Sequence, residues 1–395
     1  MSLFLLTFFL IYGGVHFYAF TKVRGAFAPG TAAAACIILF LTLMVIAPVL
    51  VRVSERGGFE TVARCLAYAG YGWMGLLFLF FCVSLAIDLG RVLLYIAGAA
   101  LHRDLPLAAL SDRNAFLAAL SCAICIAVYG YFEALHIRTE RVVIESLKIP
   151  ADIGHITLVQ ISDVHLGLIV PKERLQRIVA EIRKADPDIL ISTGDLVDGQ
   201  IDGLAELVDA LRAIKPKFGK FAVTGNHEYY AGIDQALDFT RKAGFTLLAG
   251  ETTDVAGITI AGVNDPAGYQ LGIERRVAER ELLSQHPPAK FTLFLKHRPV
   301  VESGSIGLFD LQLSGHIHKG QIFPFSVVTR LFYPIKTGYT QLLNTAAIYV
   351  SRGTGTWGPP IRFLAPPEVT VIELVHGNGK PRSLSDLGMN LLRER

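Results

Sequence analysis

Charge is distributed very unevenly along this chain. Residues 1–135 carry 14 of the 71 Asp, Glu, Lys and Arg side chains, and the remaining 260 residues carry 57. An apolar content of 52% and a mean hydropathy of +0.45 are too high for an ordinary soluble enzyme. Four stretches in the first part, residues 2–20, 31–51, 68–87 and 114–132, have the length of about 20 apolar residues that crosses a bilayer. They predict an N-terminal α-helical transmembrane bundle of four spans over residues 1–135, followed by a second domain over 136–395. The first stretch has no basic leading region and no small-residue cleavage site, so it reads as a span rather than a leader. Asp88 and Arg91, three residues apart at the end of the third stretch, are spaced to pair on one helical face as an interfacial anchor.

The second part interrupts its apolar runs with five short polar motifs: Asp163-Val164-His165, Gly194-Asp195, Gly225-Asn226-His227-Glu228, Lys296-His297 and Gly315-His316-Ile317-His318. Each follows a run that reads as a strand, at 156–161, 189–192, 221–223, 291–295 and 309–313. Helical stretches at 172–184, 203–214, 235–243 and 274–285 alternate with these runs, which predicts an α/β domain. Residues just past strand ends converge on one edge of such a sheet, where ligand sites form. A lone Asp-x-His is more often a buried, hydrogen-bonded histidine, but five of the eleven histidines sit in this ordered set. The donors are carboxylate, amide oxygen and imidazole without thiolate. That mixture suits Mn, Fe, Zn or Co in an open, reactive site better than a closed structural zinc.

Over about residues 140–375 the ordered motifs resemble the calcineurin-like metallophosphoesterases, and within them a bacterial membrane-associated phosphoesterase or phosphodiesterase branch. The resemblance implies two stacked sheets between helical layers, an α-β-β-α sandwich, with the early strands in one sheet and those near Leu311 and Ile348 in the other. It implies two divalent metal ions, one held by Asp163, His165 and His318 and the other by Asn226, His297 and His316, with Asp195 bridging them. His227 matches the position beside the substrate that binds no metal. Relatives usually carry a small residue after the last histidine; here Lys319 is either a cation for the substrate or an ordinary solvated lysine.

Two cations about 3.5 to 4 Å apart can share a carboxylate and a water, lower the water's pKa and clamp the oxygens of a phosphate ester. The leaving alkoxide needs a proton, and His227 is the expected donor. Asp198 and Glu228 are candidates to fix its imidazole, or else ordinary turn carboxylates.

Two later stretches bear on substrate choice. Residues 322–336 are dense in aromatic and apolar side chains, among them Phe323, Phe325, Phe332 and Tyr333, with Arg330 and Lys336 nearby. They either lie in a membrane interface with the rings at headgroup level, or, as the plainer reading has it, pack into the core as a strand and turn. Residues 353–362 are rich in Gly and end in Arg362, which suits close approach to a phosphate or a proline-locked turn with a surface arginine.

All five cysteines, Cys36, Cys65, Cys82, Cys122 and Cys125, lie in the first part, so thiol catalysis and disulfides are excluded from the second. Cys122 and Cys125 have C-x-x-C spacing inside an apolar span and read as small buried residues. A net charge of +3 without a basic, aromatic-interleaved stripe implies no nucleic-acid partner. Four spans leave both ends of the bundle on one side of the bilayer. That side carries Arg52, Arg56, Arg64, Arg138, Arg141 and Lys148, and the other carries Lys22, Arg24, Arg91, Arg103 and Arg113. Six against five does not orient the bundle. Charges following the first helix, and export of some relatives, lean toward an extracytoplasmic catalytic half of a multi-pass cell-membrane protein. The expected activity is hydrolysis of a phosphoester or diphosphate bond on a lipid or lipid-linked substrate, because a soluble substrate gives no reason for the anchor. The alternatives are a tethered hydrolase of soluble phosphodiesters, and a sensor or transporter half regulated by a phosphoesterase domain.

Overall fold

The computed structural model describes residues 2–102, 110–168, 172–199, 205–287, 289–343, 346–378 and 382–383. Arg103, and Gly203 at the expected start of the second helical stretch, lie outside them. The chain divides into two compact units, Met1–Phe132 with Gly358–Phe363, and Glu133–Trp357 with Leu364–Arg395.

The first unit is built on α1 (Ser2–Phe27), α2 (Thr31–Arg56), α3 (Glu60–Leu101) and α4 (Asp112–Leu135), all long and apolar enough to cross a membrane. Helix α3 far outruns the expected 68–87. Its 42 residues, at about 1.5 Å each, span roughly twice the hydrocarbon thickness of a bilayer. It runs on through Asp88 and Arg91 to a left-handed cap at His102. The expected Asp88–Arg91 anchor is replaced by pairing between helices. Asp88 accepts from Tyr18 Oη and Lys22 Nζ of α1, each at 2.6 Å, while Arg91 donates to Asp112 of α4 at 2.9 Å. Partners on neighbouring helices win because they are held there by packing of the whole apolar length. In the same unit His16 donates from Nδ1 to Tyr12 O, which leaves Nε2 to accept the Trp73 indole N–H at 3.0 Å. The Gly358–Phe363 segment lies on α4, where Arg362 N donates to Gly130 O at 2.9 Å.

The second unit runs β1 (Arg138–Ser146), β2 (His155–Ile161), α5 (Lys172–Ala185), β3 (Ile189–Ser192), α6 (Ala205–Arg212), β4 (Lys220–Ala222), α7 (Asn226–Ala231), α8 (Ile233–Lys242), β5 (Thr246–Leu247), β6 (Glu251–Val255) and β7 (Ile258–Gly262). It continues through α9 (Ala267–Gln270), α10 (Glu279–Ser284), β8 (Thr292–Leu295), β9 (Leu311–Ser314), α11 (Phe325–Phe332), β10 (Gly338–Gln341), β11 (Ala347–Val350), β12 (Glu368–His376) and β13 (Arg382–Ser383). Two sheets form, in the orders β13-β1-β12-β2-β3-β4-β5 and β10-β11-β9-β8-β7-β6.

Successive side chains of a strand point to opposite faces, and β2 shows what that does here. Ile156 and Leu158 join Ile189, Ile191 and Phe221 of their own sheet and Leu293, Leu295, Leu311 and Leu313 of the other in one buried cluster between the sheets. Val159 and Ile161 instead meet Leu175, Ile178 and Ile182 of α5 and Phe239 of α8. On the far side of the second sheet, Phe294 and Ala261 pack on Leu282 and Leu283 of α10. The result is the expected α-β-β-α sandwich.

Segment 322–336 departs from the strand-and-turn expectation. It forms α11, none of whose residues is buried.

Candidate metal centre

Strands β2, β3 and β4 are parallel neighbours in one sheet, and β8 and β9 in the other. The loops leaving their C-terminal ends carry all the expected ligands. The first two loops are laced together: Asp163 N donates to Gly194 O, and His165 N to Asp195 O, both at 3.0 Å.

Three donor groups result, each with its ligand atoms within 4.8 Å of one another: Asp163, His165 and His318; Asp195, His297 and His316; and His165, Asp195 and His227. His165 Nε2 lies 3.0 Å from His318 Nε2, which is 3.3 Å from Asp163 Oδ1. Asp195 Oδ2 stands 3.1 Å from His297 Nε2 and 3.9 Å from His165 Nε2, and His316 Nδ1 is 3.2 Å from His297 Nε2. Two imidazole nitrogens facing each other can share one proton at most, whereas a cation answers both lone pairs. Asn226 is buried and its Oδ1 has no hydrogen-bond partner. Such a buried orphan is costly, and a bound cation would satisfy it. The donor set therefore fits divalent metal.

Supporting contacts orient these ligands. His297 donates from Nδ1 to Thr193 O at 2.8 Å, which leaves Nε2 facing Asp195. His316 turns Nε2 to the Tyr333 hydroxyl at 2.9 Å and Nδ1 inward. Burial, with His297 beside it, lowers the His316 pKa to about 3. Burial acts in the same direction on His297, but Asp195 outweighs it and raises that pKa to about 10.

Backbone strain concentrates here. Asp163 (φ 53°), His165 (53°), Asp195 (51°), His316 (73°) and His318 (47°) are five of the twelve described non-glycine residues with positive φ. Such conformations persist only where the surroundings enforce them. Two glycines permit the enforcing contacts. A Cβ at Gly315 would stand 2.2 Å from Asp163 Oδ2, and one at Gly355 would stand 2.1 Å from Val164 O. Gly355 and Thr354 donate their amides to Asp163 O and Ser162 O at 2.9 and 2.7 Å. The Gly-rich stretch thus braces the Asp163 loop from behind.

Among the expected neighbours of His227, the structure treats Asp198 and Glu228 differently. Asp198 Oδ1 takes His227 Nδ1 at 2.9 Å. Glu228 touches no imidazole through its hydrogen bonds; its carboxylate accepts four backbone amides, from Asp195, Leu196, Val197 and Gly225. Lys319 sits in a left-handed turn directly after His318. Burial, and then Arg352, lowers its pKa. Arg362 belongs to the helical unit.

Several neighbours of the centre were not foreseen. Arg298 forks onto the buried Asp265 with two 2.8 Å bonds and lies against the Tyr333 hydroxyl. Tyr230 and Trp357 stand edge-on to His227, with ring centroids 5.5 Å away. Arg298 carried a sequence signal in its position beside His297, and Trp357 in its place within the Gly-rich 353–362 stretch; Tyr230 carried none.

Comparison with known proteins agrees with this geometry. Residues 156–320, which include all seven expected ligands, match the family model described as calcineurin-like phosphoesterase. An uncharacterized metallophosphoesterase of Aquifex aeolicus is 39% identical over 254 residues, covering 64% of this chain and 97% of that protein. One from Helicobacter pylori strain J99 is 36% identical over 56% of this chain and 60% of its own length. A transmembrane protein with metallophosphoesterase domain from Danio rerio is 30% identical over 67% of this chain and 63% of its own length. The chain thus spans under two thirds of the latter two relatives.

Proposed function

The chain belongs to the calcineurin-like metallophosphoesterases and is a metal-dependent phosphoester hydrolase, and from that premise we propose that it is a membrane-integral enzyme using two divalent ions on a lipid or lipid-linked phosphate. In this reading Asp163, His165 and His318 hold one ion, Asn226, His297 and His316 hold the other, and Asp195 serves both. The observation that supports the reading is that Asp195 Oδ2 stands between the two sets, 3.1 Å from His297 Nε2 of one and 3.9 Å from His165 Nε2 of the other. The ions, when bound, activate water and neutralise charge on the phosphoryl oxygens.

The rest is the work of the chain's own side chains. With Nδ1 engaged by Asp198, His227 has Nε2 to give a proton to the leaving alkoxide. Glu228 holds the backbone on both sides of Asp195 and so fixes the shared carboxylate. Arg298, held by Asp265, supplies a cation at the edge of the site for a further substrate oxygen. The four apolar helices support a multi-pass membrane location and a substrate that resides in the bilayer.

The test is a product screen of the purified full chain, with its metal content measured, against phospholipids, lipid diphosphates and soluble phosphodiesters. Metal near two equivalents and selective turnover of a lipid class is the expected result. Turnover confined to soluble phosphodiesters overturns the lipid assignment, and a single equivalent in active enzyme overturns the two-ion assignment.

A further inference from the structure

Helix α11 is inside out. A surface helix of a soluble protein turns its apolar stripe to the core, but here Phe325, Val327, Val328, Leu331 and Phe332 are all exposed, Leu331 by 78% and Phe332 by 74%. At about 100° per residue these five fall within one arc of about 160°. The half-buried residues are the polar ones, Ser326 and Thr329. Ser326 lies against the Gly320 turn, where an added Cβ would meet Ser326 N at 2.3 Å. A contiguous apolar face of this size marks a binding surface.

Charge narrows the choice of occupant. No acidic residue occurs between Asp310 and Glu368; of the five basic residues in that stretch Arg352 is paired with Glu140 and Glu368 and Arg362 is buried in the helical unit, which leaves Lys319, Arg330 and Lys336. Arg330 and Lys336, flanking the apolar face, are both exposed. An apolar layer beneath a negatively charged surface is what a bilayer with anionic lipid presents, and a chain with four candidate spans brings that bilayer with it.

We propose that α11 is a bilayer-docking helix, its apolar arc set among the lipid chains just below the headgroups and Arg330 and Lys336 against anionic headgroups. This rests on reading α1 to α4 as membrane spans. The consequence for catalysis follows from where the helix ends. Tyr333, the next residue, bonds His316 of the metal centre, so docking brings the metal centre to headgroup depth.

The experiment uses the full chain in lipid nanodiscs whose acyl chains are brominated near the headgroup. Leu331→Trp adds an indole on the apolar arc, and Phe332→Trp provides a second variant. Quenching of the native Trp73 in α3 gauges insertion, and subtraction of the wild-type signal isolates the added indole. The expected result is a blue-shifted added emission that is largely lost in brominated lipid, more so with phosphatidylglycerol than with phosphatidylcholine alone. An added emission at the wavelength of water-exposed indole, unquenched, overturns the proposal. A blue-shifted but unquenched emission also overturns it, because protein, either this chain's own helices or a second copy, then covers the face. Hydrolysis of bis-nitrophenyl phosphate by the same samples keeps the two readings separable. Unquenched variants with full turnover defeat docking alone, and quenched variants of a wild type that hydrolyses no ester defeat the hydrolase reading alone.

Discussion

Replacing Glu228 with glutamine keeps the side chain's shape and removes one acceptor oxygen from a cage of four backbone donors. Oε2 accepts Gly225 N at 2.7 Å and Asp195 N at 3.0 Å; Oε1 accepts Leu196 N at 2.7 Å and Val197 N at 3.2 Å. Whichever oxygen becomes the amide nitrogen, two buried N–H groups then face another donor. Each such loss costs roughly 1 to 3 kcal/mol, so the pair costs about 2 to 6 kcal/mol. One term offsets this. Burial, then the nearby Asp195 carboxylate, pushes the Glu228 pKa up, so removing the charge relieves some repulsion, and about 2 to 4 kcal/mol is the expected net cost.

A melt of a chain with two units does not isolate this loop, but amide hydrogen exchange does. At roughly tenfold per 1.4 kcal/mol, exchange in a peptide spanning residues 194–198 should accelerate about 30- to 800-fold. Metal content should fall with it, because the backbone of Asp195, the proposed shared ligand, is what loosens. Unchanged exchange and full metal occupancy in Glu228→Gln would show that the carboxyl is protonated, with glutamine replacing it well, and the clamp argument would fail.

Asp195→Asn should lower metal content and abolish hydrolysis while the helices remain inserted; two-metal content with full activity would remove Asp195 from its shared position. His227→Ala should keep both metals and lose roughly 10² to 10⁴ in turnover, whereas His316→Ala should lose metal, and equal metal loss in the two variants would show that His227 is a ligand rather than a proton donor.

What could be read from the sequence was local. Strands β2 and β3 announce themselves by short runs of Ile, Leu and Val, and the first candidate ligand follows within four residues of each strand end because a parallel strand must end before its loop can reach the site. What could not be read depended on partners distant in the chain. Asp88 sits beside Arg91 in sequence, yet finds Lys22 and Tyr18 once α1 packs on α3. Glu228 neighbours His227, but three of the four amides its carboxylate accepts lie about thirty residues earlier, on a loop whose path the sequence does not display. Strand β1 has a mixed, charged pattern, and its place is set by parallel pairing with β12, 230 positions on. For α11 the sequence left a membrane interface and a packed core both open, because an apolar run is normally a buried run, and only the fold, which buries none of its residues, separates the two.

The ligand loops also explain why aspartate and histidine serve this site twice over. All five left-handed candidate ligands are Asp or His, types that tolerate positive φ better than most residues. Lys319 adopts φ 52° and ψ 28° in the same turn without that tolerance. Left-handed backbone costs a side-chain-bearing residue roughly 1 to 2 kcal/mol, while glycine's extra freedom in the unfolded chain costs about 0.5 to 1 kcal/mol. Lys319→Gly should therefore leave the catalytic unit as stable or more stable by up to about 1 kcal/mol. Faster amide hydrogen exchange in a peptide spanning residues 316–321 would mean that the lysine stem contributes packing that outweighs its strain. The same variant settles the role of the charge: an unchanged KM marks Lys319 as a bystander to the substrate, and a KM raised with kcat preserved marks it as a cation that binds substrate without taking part in the chemical step.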